Sequence, residues 1–600
     1  MSLMLPVALF WPLLVLLLSG LRLAMEQGGR HRWKPRQALL DGWWISAPLP
    51  ALALALWPGE LSLAMESWLL GGLWQLDAAR RPWLLFSALL WFLAGCYARG
   101  YLAGEQREAE AEAGDEAIFR RLLRFALLWP LTLFGNLLLI VAEDIPSFYM
   151  GFVIMTLAAY GLVVHTGDRD ARLGGLAYIV MALVGEALIL GGLLWSAGSV
   201  EALTLSELRA GIAEADQGLW MASLLWLGFG VKAGVIGLHV WLPLAHPVAP
   251  TPASAVLSGV MVKAGVLGWL YTLPLGNAEA GLARLGETII AVGLIGAFVA
   301  ALLGVAQRHP KAVLAYSSVS QLGMLTSLVG VGLSTPALWP ALLAPMALFA
   351  GHHGMTKGAL FLGVGISEHP PRLPAWLIVA LLVLPALSLG GALASGLVAK
   401  GFMKEVLYEG GHSALVSWLS LAAVGSTLLM VRALWRQWRR RGEPATSWRS
   451  PMFLAWLFAV LAAAAVPWWL PIGEPGVTWP SLKKLPGLLW PAALGLVLAG
   501  LTLLAAKAGG RARRVTDRLP AGDLWWAYLA LAKRVAAGLR RAGAALESRG
   551  QRVRERLRVE ERRVMAWLGD LARHERTFIH MAVPLMVGVA VLLALGFWLG

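Results

Sequence analysis

Long apolar runs separated by short polar ones dominate this chain. A run of about 20 mostly apolar residues is long enough to cross about 30 Å of hydrocarbon as a helix. About sixteen such runs follow one another, near residues 3–21, 41–58, 82–103, 121–141, 146–165, 173–195, 218–242, 250–274, 284–306, 311–333, 338–365, 374–399, 413–435, 452–471, 486–507 and 577–599. One segment departs from this pattern. From Asp523 to Arg573, apolar residues recur at Val535, Leu539, Ala542 and Leu546, then at Val553, Leu557, Val564, Leu568 and Leu571, while the opposite face is strongly charged. The spacing predicts an amphipathic helix of about 50 residues, on the order of 75 Å long, with Gly543 and Gly550 as candidate breaks. Such a helix either lies on the membrane surface or acts as a strut that clasps neighbouring helices or subunits.

The loops orient the spans. With the N-terminus outside, the odd-numbered loops face the cytoplasm. The first carries Arg22, Arg30, Arg32, Lys34 and Arg36. The thirteenth carries Arg432, Arg436, Arg439, Arg440, Arg441 and Arg449, and the fifteenth begins Arg511, Arg513, Arg514. The sixth, an even loop, carries Glu201, Glu207, Glu214 and Asp216 against Arg209. This alternation follows the positive-inside rule. It predicts an even number of spans in the cell inner (plasma) membrane, with both termini outside.

Composition agrees. The chain is 58% hydrophobic and 14% charged, against roughly a quarter charged in soluble domains. Its 30 Trp residues suit the membrane–water boundary. The formal charge of +15 sits in the loops, which argues for membrane orientation and against nucleic acid as a partner. Cys96 is the sole cysteine, so the chain forms no intrachain disulfide and holds no cysteine-ligated cluster. Leu3 to Leu18 lacks a basic n-region and a cleavage site, and reads as a retained span.

Ionisable side chains inside the spans are the candidate chemistry, because a charge in hydrocarbon is costly. Lys232 lies in the seventh span within WLGFGVKAGVIGLHVWLP, with His239 two turns later. Lys263 lies in the eighth. Lys357 lies in the eleventh, one turn after His353, with His352 beside it. Lys400 closes the twelfth, and Glu186 sits in the middle of the sixth. Snorkelling to the headgroups accounts for Lys400 and Lys404, near a span end. It fits poorly for Lys232, Lys263, Lys357 and Glu186. For the paired histidines, packing with hydrogen bonds stands beside a proton-relay role, and a metal site is not expected. The seventh span has Gly228, Gly230, Gly234 and Gly237 around Lys232; the twelfth has Pro385, Gly390, Gly391 and Gly396 before Lys400. Interrupted helices at corresponding places point to inverted repeats around a polar pathway. The expected fold is therefore an all-α polytopic membrane protein of about 16 transmembrane helices. Its parts are N-terminal spans (1–120), two inverted five-helix repeats (121–275 and 283–435), C-terminal spans (450–510), the amphipathic helix (515–575) and a final span (577–600).

Several motifs together carry a family resemblance. KAGVIGLHVWLPLAHPVAPTPASAVLSGVMVKAG (Lys232 to Gly265), HPKAVLAYSSVSQLGML (His309 to Leu325), the His353 and Lys357 pair and SGLVAK (Ser395 to Lys400) resemble the antiporter-like subunits of the complex I and Mrp antiporter superfamily. The HPVAPTPASAVLSGVMVKAG part is most similar to the large membrane subunit of formate-hydrogenlyase and related group 4 hydrogenases, including Ser258 where many complex I relatives have histidine. The resemblance covers most of residues 70–410. It implies a subunit that carries H⁺, or Na⁺ coupled to H⁺, beside other membrane subunits, with Lys232, Lys263, Lys357, Lys400 and His353 on the proton path. It implies a share in a membrane oxidoreductase of NADH-quinone or hydrogenase type. No cofactor motif is present, so iron–sulfur, flavin or metal centres are expected only in partner subunits. A Mrp-type Na⁺/H⁺ antiporter subunit and a membrane partner of an inorganic-carbon uptake system are the competing expectations. One departure matters. The family usually has a fifth-span glutamate seven residues before a tyrosine, paired with the seventh-span lysine; FVIMTLAAY puts Val153 there, before Tyr160. Glu186, on the next span, is the expected substitute. Glu143 and Asp144, in an external turn, are weaker candidates.

Overall fold

The computed structural model describes residues 3–27, 42–65, 68, 71–109, 115–277, 280–444, 446–473, 476–508 and 521–547. The chain divides into two compact units, Met1–Ala64 with Gly72–Gly522, and Met65–Gly71 with Asp523–Gly600. Helices account for nearly all of the first unit. They are α1 (Met4–Gln27), α2 (Leu49–Leu56), α3 (Arg81–Ala109), α4 (Asp115–Val141), α5 (Ile145–Val163), α6 (Arg169–Val200), α7 (Leu205–Glu214), α8 (Gly218–Ala233), α9 (Trp241–Val248), α10 (Thr251–Val256), α11 (Lys263–Thr272), α12 (Ala280–Val305), α13 (Pro310–Ser334), α14 (Trp339–Glu368), α15 (Ala375–Gly390), α16 (Ala394–Glu409), α17 (Ser413–Arg439), α18 (Pro451–Ala464), α19 (Val466–Trp469) and α20 (Leu485–Ala508). The strands among the described residues are Leu61–Met65 and Gly72–Leu76, which pair with each other.

Eleven helices among the described residues are long and apolar enough to cross a membrane. Shorter apolar helices at Trp43–Leu56, Gly218–Ala233 and Pro451–Ala464 stand where the second, seventh and fourteenth spans were expected. The eleventh expected span is α14, whose 30 residues are nearly all buried by neighbouring helices, which lets it carry His352, His353 and Lys357 away from lipid. Three features differ from expectation. The sixth loop folds into α7, because Thr204 and Glu207 form a reciprocal capping box. The eighth span is not a plain helix: a π-helical turn, Leu257–Met261, separates α10 from α11. In the second unit, α21 (Asp523–Glu547) runs through Gly543 without a break; one glycine costs a helix only about 1 kcal/mol. Gly550, the distal half of the amphipathic segment and the final span lie outside the described residues.

The loop alternation has a spatial counterpart. Leu73, Glu143, Ser206, Asn277, Pro340 and Gly473, one from each even-numbered loop or its edge from the second to the tenth and from the fourteenth, line a single recess of about 920 Å³. Odd-numbered loops meet one another elsewhere. Arg432 Nε donates to Gln307 O (3.3 Å), Gly442 N to Ser367 O (3.0 Å) and Arg372 N to Thr446 O (3.0 Å).

Small residues set the helix spacing, as expected where lipid provides no hydrophobic drive between helices. Gly259 and Gly354 form one such contact near the buried charges. A Cβ on Gly354 would stand 2.7 Å from Gly259 O, and one on Gly259 would stand 2.9 Å from Gly354 O. This contact presses the π-turn before Lys263 against the part of α14 that carries His353 and Lys357.

Two outcomes are expected. In a Cys96→Ser background, Ser206→Cys and Arg441→Cys, both at exposed positions, should react with a membrane-impermeant thiol reagent from opposite sides of sealed vesicles; labelling of both from one side would refute the alternation. Gly354→Val should destabilise the detergent-solubilised protein by about 1–3 kcal/mol, seen as a lower thermal aggregation temperature. Gly104→Ala, at a position with open space around it, should leave that temperature nearly unchanged.

Candidate functional site

The first break in the fold places Lys232. Helix α8 ends at Ala233 because Gly234 (φ 74°) takes the left-handed conformation, and Gly237 (φ 89°) repeats it before α9 begins. Lys232 stands in the last turn of α8, 5% exposed. Its Nζ donates to Thr156 Oγ1 of α5 (3.0 Å) and to Tyr178 OH of α6 (3.1 Å). It also lies over the rings of Tyr178 (5.3 Å), Phe152 (5.8 Å) and Trp241 (5.9 Å). Lys232 and Glu186 line the same cavity of about 10 Å³, room for about one water. Glu186 is 8% exposed and stands beside Thr156 of α5; its charge interacts with that of Lys232. Helix α5 lends this cavity Phe152 and Thr156 rather than Val153.

Glu143 and Asp144 are engaged elsewhere. Glu143 is paired with Arg80, which also bonds Asp77 at 2.6 Å. Asp144 caps α5, accepting from Ser147 N (2.7 Å) and Leu73 N (2.9 Å); burial nonetheless holds its carboxyl above the usual range.

Three more lysines are buried in the middle of the bundle, and each donates to uncharged oxygen. Lys263 Nζ donates to Ser258 O in the π-turn (2.7 Å). Lys357 Nζ donates to Leu314 O of α13 (2.6 Å) and to Ser317 Oγ. Lys400 Nζ donates to Leu389 O (2.7 Å), in the last turn of α15. The second break makes this last contact. Gly391 (φ 89°) ends α15, and a Cβ there would meet Lys400 Cδ at 2.9 Å. Lys404, one turn beyond Lys400, is also buried.

Histidines join the row. His353 is fully buried with both ring nitrogens unpartnered, and it interacts electrostatically with Lys263, Lys357, His352 and Lys400. His352 Nδ1 shares hydrogen bonds with Ser395 Oγ (2.8 Å) and Thr356 Oγ1 (3.2 Å). His239 sits in the first break, its ring 5.9 Å from that of Tyr316. Among the buried titratable residues not singled out from the sequence are His246, near the end of α9, and Lys311, at the start of α13. Their signal was present in HPVAPTP and HPKAV, where a residue able to titrate stands beside a helix-ending or helix-starting proline. Thr156 and Tyr178, the acceptors of Lys232, gave no signal at all. Among the described residues, no group of three or more His, Cys, Asp or Glu is placed to hold a metal ion.

Comparison with known proteins finds relatives for the middle of the chain and for its fold. Residues 142–374 match the family described as "NADH:quinone oxidoreductase/Mrp antiporter, TM". Hydrogenase-4 component B of Escherichia coli is 34% identical over 235 residues, 38% of this chain and 35% of that protein; the match thus spans about a third of that relative. A hydrogenase-4 component F homolog of Methylacidiphilum infernorum is 25% identical over 439 residues, 68% of this chain and 89% of that protein. The solved Mrp complex from Dietzia sp. DQ12-45-1b contains a chain of the same fold, with a TM-score of 0.69 at 22% identity, covering 95% of this chain and 63% of that one. The buried lysines Lys232, Lys263 and Lys357 all fall within residues 142–374, the segment that matches the NADH:quinone oxidoreductase/Mrp antiporter family.

Proposed function

We propose that this chain is a proton-translocating, antiporter-like subunit of a redox-driven membrane complex related to complex I or group 4 hydrogenase. The observation that carries the reading is a row of buried lysines, Lys232, Lys263, Lys357 and Lys400, held across consecutive helices by uncharged oxygens. Lys263, Lys357 and Lys400 are buried and donate to no carboxylate among the described residues, so neither an ion pair nor snorkelling accounts for them. His353 and His239 complete the row as relay members. Lys400, beside the second break, links the row to one face of the membrane. The two breaks are the pivots of two inverted five-helix repeats, 121–275 and 283–435, in a bundle of about 16 spans.

Glu186 is the acid of the first site. It takes the place that Val153 leaves empty, from α6 instead of α5, and the cavity it shares with Lys232 supports this. Water in that cavity bridges the carboxylate and the ammonium. Proton transfer then alternates between a charged pair and a neutral pair. Neighbouring membrane subunits pack alongside, and the electron-carrying centres belong to partners. The ion carried is H⁺. A Mrp-type exchange of Na⁺ for H⁺ is the reading that replaces this one if transport follows Na⁺ instead of electron transfer, and an inorganic-carbon uptake partner replaces it if neither drives transport.

The test is proton uptake into inverted membrane vesicles that hold the intact complex. Lys232→Met and Lys400→Met should abolish uptake while the complex still assembles; natural rates in both would sink the relay. Glu186→Gln should lower uptake by on the order of a hundredfold, the usual weight of one positioned acid–base group. Unchanged uptake in that variant would remove Glu186 from the first site.

A further inference from the structure

One buried titratable group has no place in the lysine row. His246 is fully buried, and neither ring nitrogen has a hydrogen-bond partner. Leaving an imidazole in that state costs free energy, and a phenylalanine would fill a similar volume without the cost. Packing by itself therefore does not account for a histidine here.

Its position is specific. The ring stacks on Phe361, with centroids 4.6 Å apart. On α14, Phe361 lies one turn beyond Lys357, and Lys357 lies one turn beyond His353. His246 thus stands at the end of a stripe that runs along α14 into the lysine row. On its other side, Ser254 Oγ donates to His246 O (3.0 Å) and to Ala249 O (3.2 Å). Ala249 O also accepts from Lys311 Nζ (2.9 Å). Ala249 closes α9 and Lys311 opens α13, and both belong to odd-numbered loops, on the basic face of the bundle. The charged groups that face His246 are Lys357 from α14, Lys311 from α13 and Lys263 from α11. All three are bases. A proton held on the ring between them has no acid to trap it and is easily passed on.

We propose that Lys311 and His246 form an inlet from the basic-loop face that feeds protons to Lys357 and Lys263, separate from the Lys232–Glu186 site. The inlet rests on the reading of the chain as a proton-translocating subunit. Each step moves one proton and no other bond. Lys311 gives a proton to one ring nitrogen of His246. The other nitrogen releases one toward Lys357, and a ring reorientation restores the starting tautomer. Lys311 regains its proton from water at the surface. Lys232 and Glu186 take no part in these steps.

The experiment uses the natural complex, reconstituted into vesicles with a pH-sensitive dye inside. Initial rates are compared for the natural chain, His246→Gln, Lys311→Met and the double variant, each checked for assembly. Each single change should slow proton movement by on the order of a hundredfold. Because the two residues act in series, the double variant should be no slower than the slower single one. A purely structural effect would instead multiply the two losses or lower the assembled fraction. Natural rates in either assembled single variant, or multiplied losses in the double, would overturn the inlet and leave the proton-pump reading intact. If the natural complex moves no protons, the pump reading falls and takes the inlet with it. Should one variant fail to assemble, the other still reports on the same path from the opposite end.

Discussion

A lysine ammonium buried in hydrocarbon needs oxygen within reach, and an intact helix offers little, because its carbonyls are already bonded along the ladder. This bundle meets that need by interrupting helices. Lys400 donates to Leu389 O where α15 stops, and Lys311 donates to Ala249 O where α9 stops. Lys263 donates to Ser258 O inside a π-turn, where the ladder has changed its spacing. The free carbonyls at a helix C-terminus also carry partial negative charge, so a half-helix end is a better host for a cation than any point along a whole helix. For Lys263, Lys311 and Lys400, the break and the lysine are therefore one feature. Removing either leaves the other without a physical reason.

Close helix approach does the rest. The π-turn near Lys263 lies directly against α14, with no side chain at Gly259 or Gly354 to hold the two apart. That same approach brings His353 within electrostatic reach of lysines from different helices. Lys357 is the exception that an uninterrupted helix can still supply. Leu314 O on α13 accepts its hydrogen bond, and the hydroxyls of Ser317 and Ser318 gather around the same carbonyl. Serine on that helix substitutes for a break.

Much of this was legible in the sequence, for identifiable reasons. Span positions follow from apolar length, and the two faces follow from loop charge; both are averages over many residues and survive local errors. The breaks were visible because Gly234 and Gly391 must stand where the backbone turns left-handed. What escaped was set by tertiary contact alone. The π-turn at Leu257–Met261 has no compositional mark. Thr156 and Tyr178 read as ordinary span residues until the packing of α5 and α6 against α8 turns their hydroxyls toward Lys232. Gly543 misled in the other direction, because a single glycine marks a break only where the backbone must leave the helix.

The uncharged acceptors bear on how such a row would work. A carboxylate paired with a lysine favours the ammonium and holds the proton there. A carbonyl or hydroxyl oxygen accepts a hydrogen bond from the ammonium and from the neutral amine alike. Lys263, Lys357 and Lys400 can thus lose and regain a proton without losing their geometry, which is what a relay requires of its intermediate members. Lys232 differs, with hydroxyl acceptors and one carboxylate across a cavity of about 10 Å³. In the proposed relay, the charge state there depends on how Glu186 and Lys232 share the proton. A gate belongs at a site whose charge can be switched, and a wire belongs where it cannot be trapped. In the proposed relay, the acid therefore stands at one end of the row, and the lysines beyond it have none.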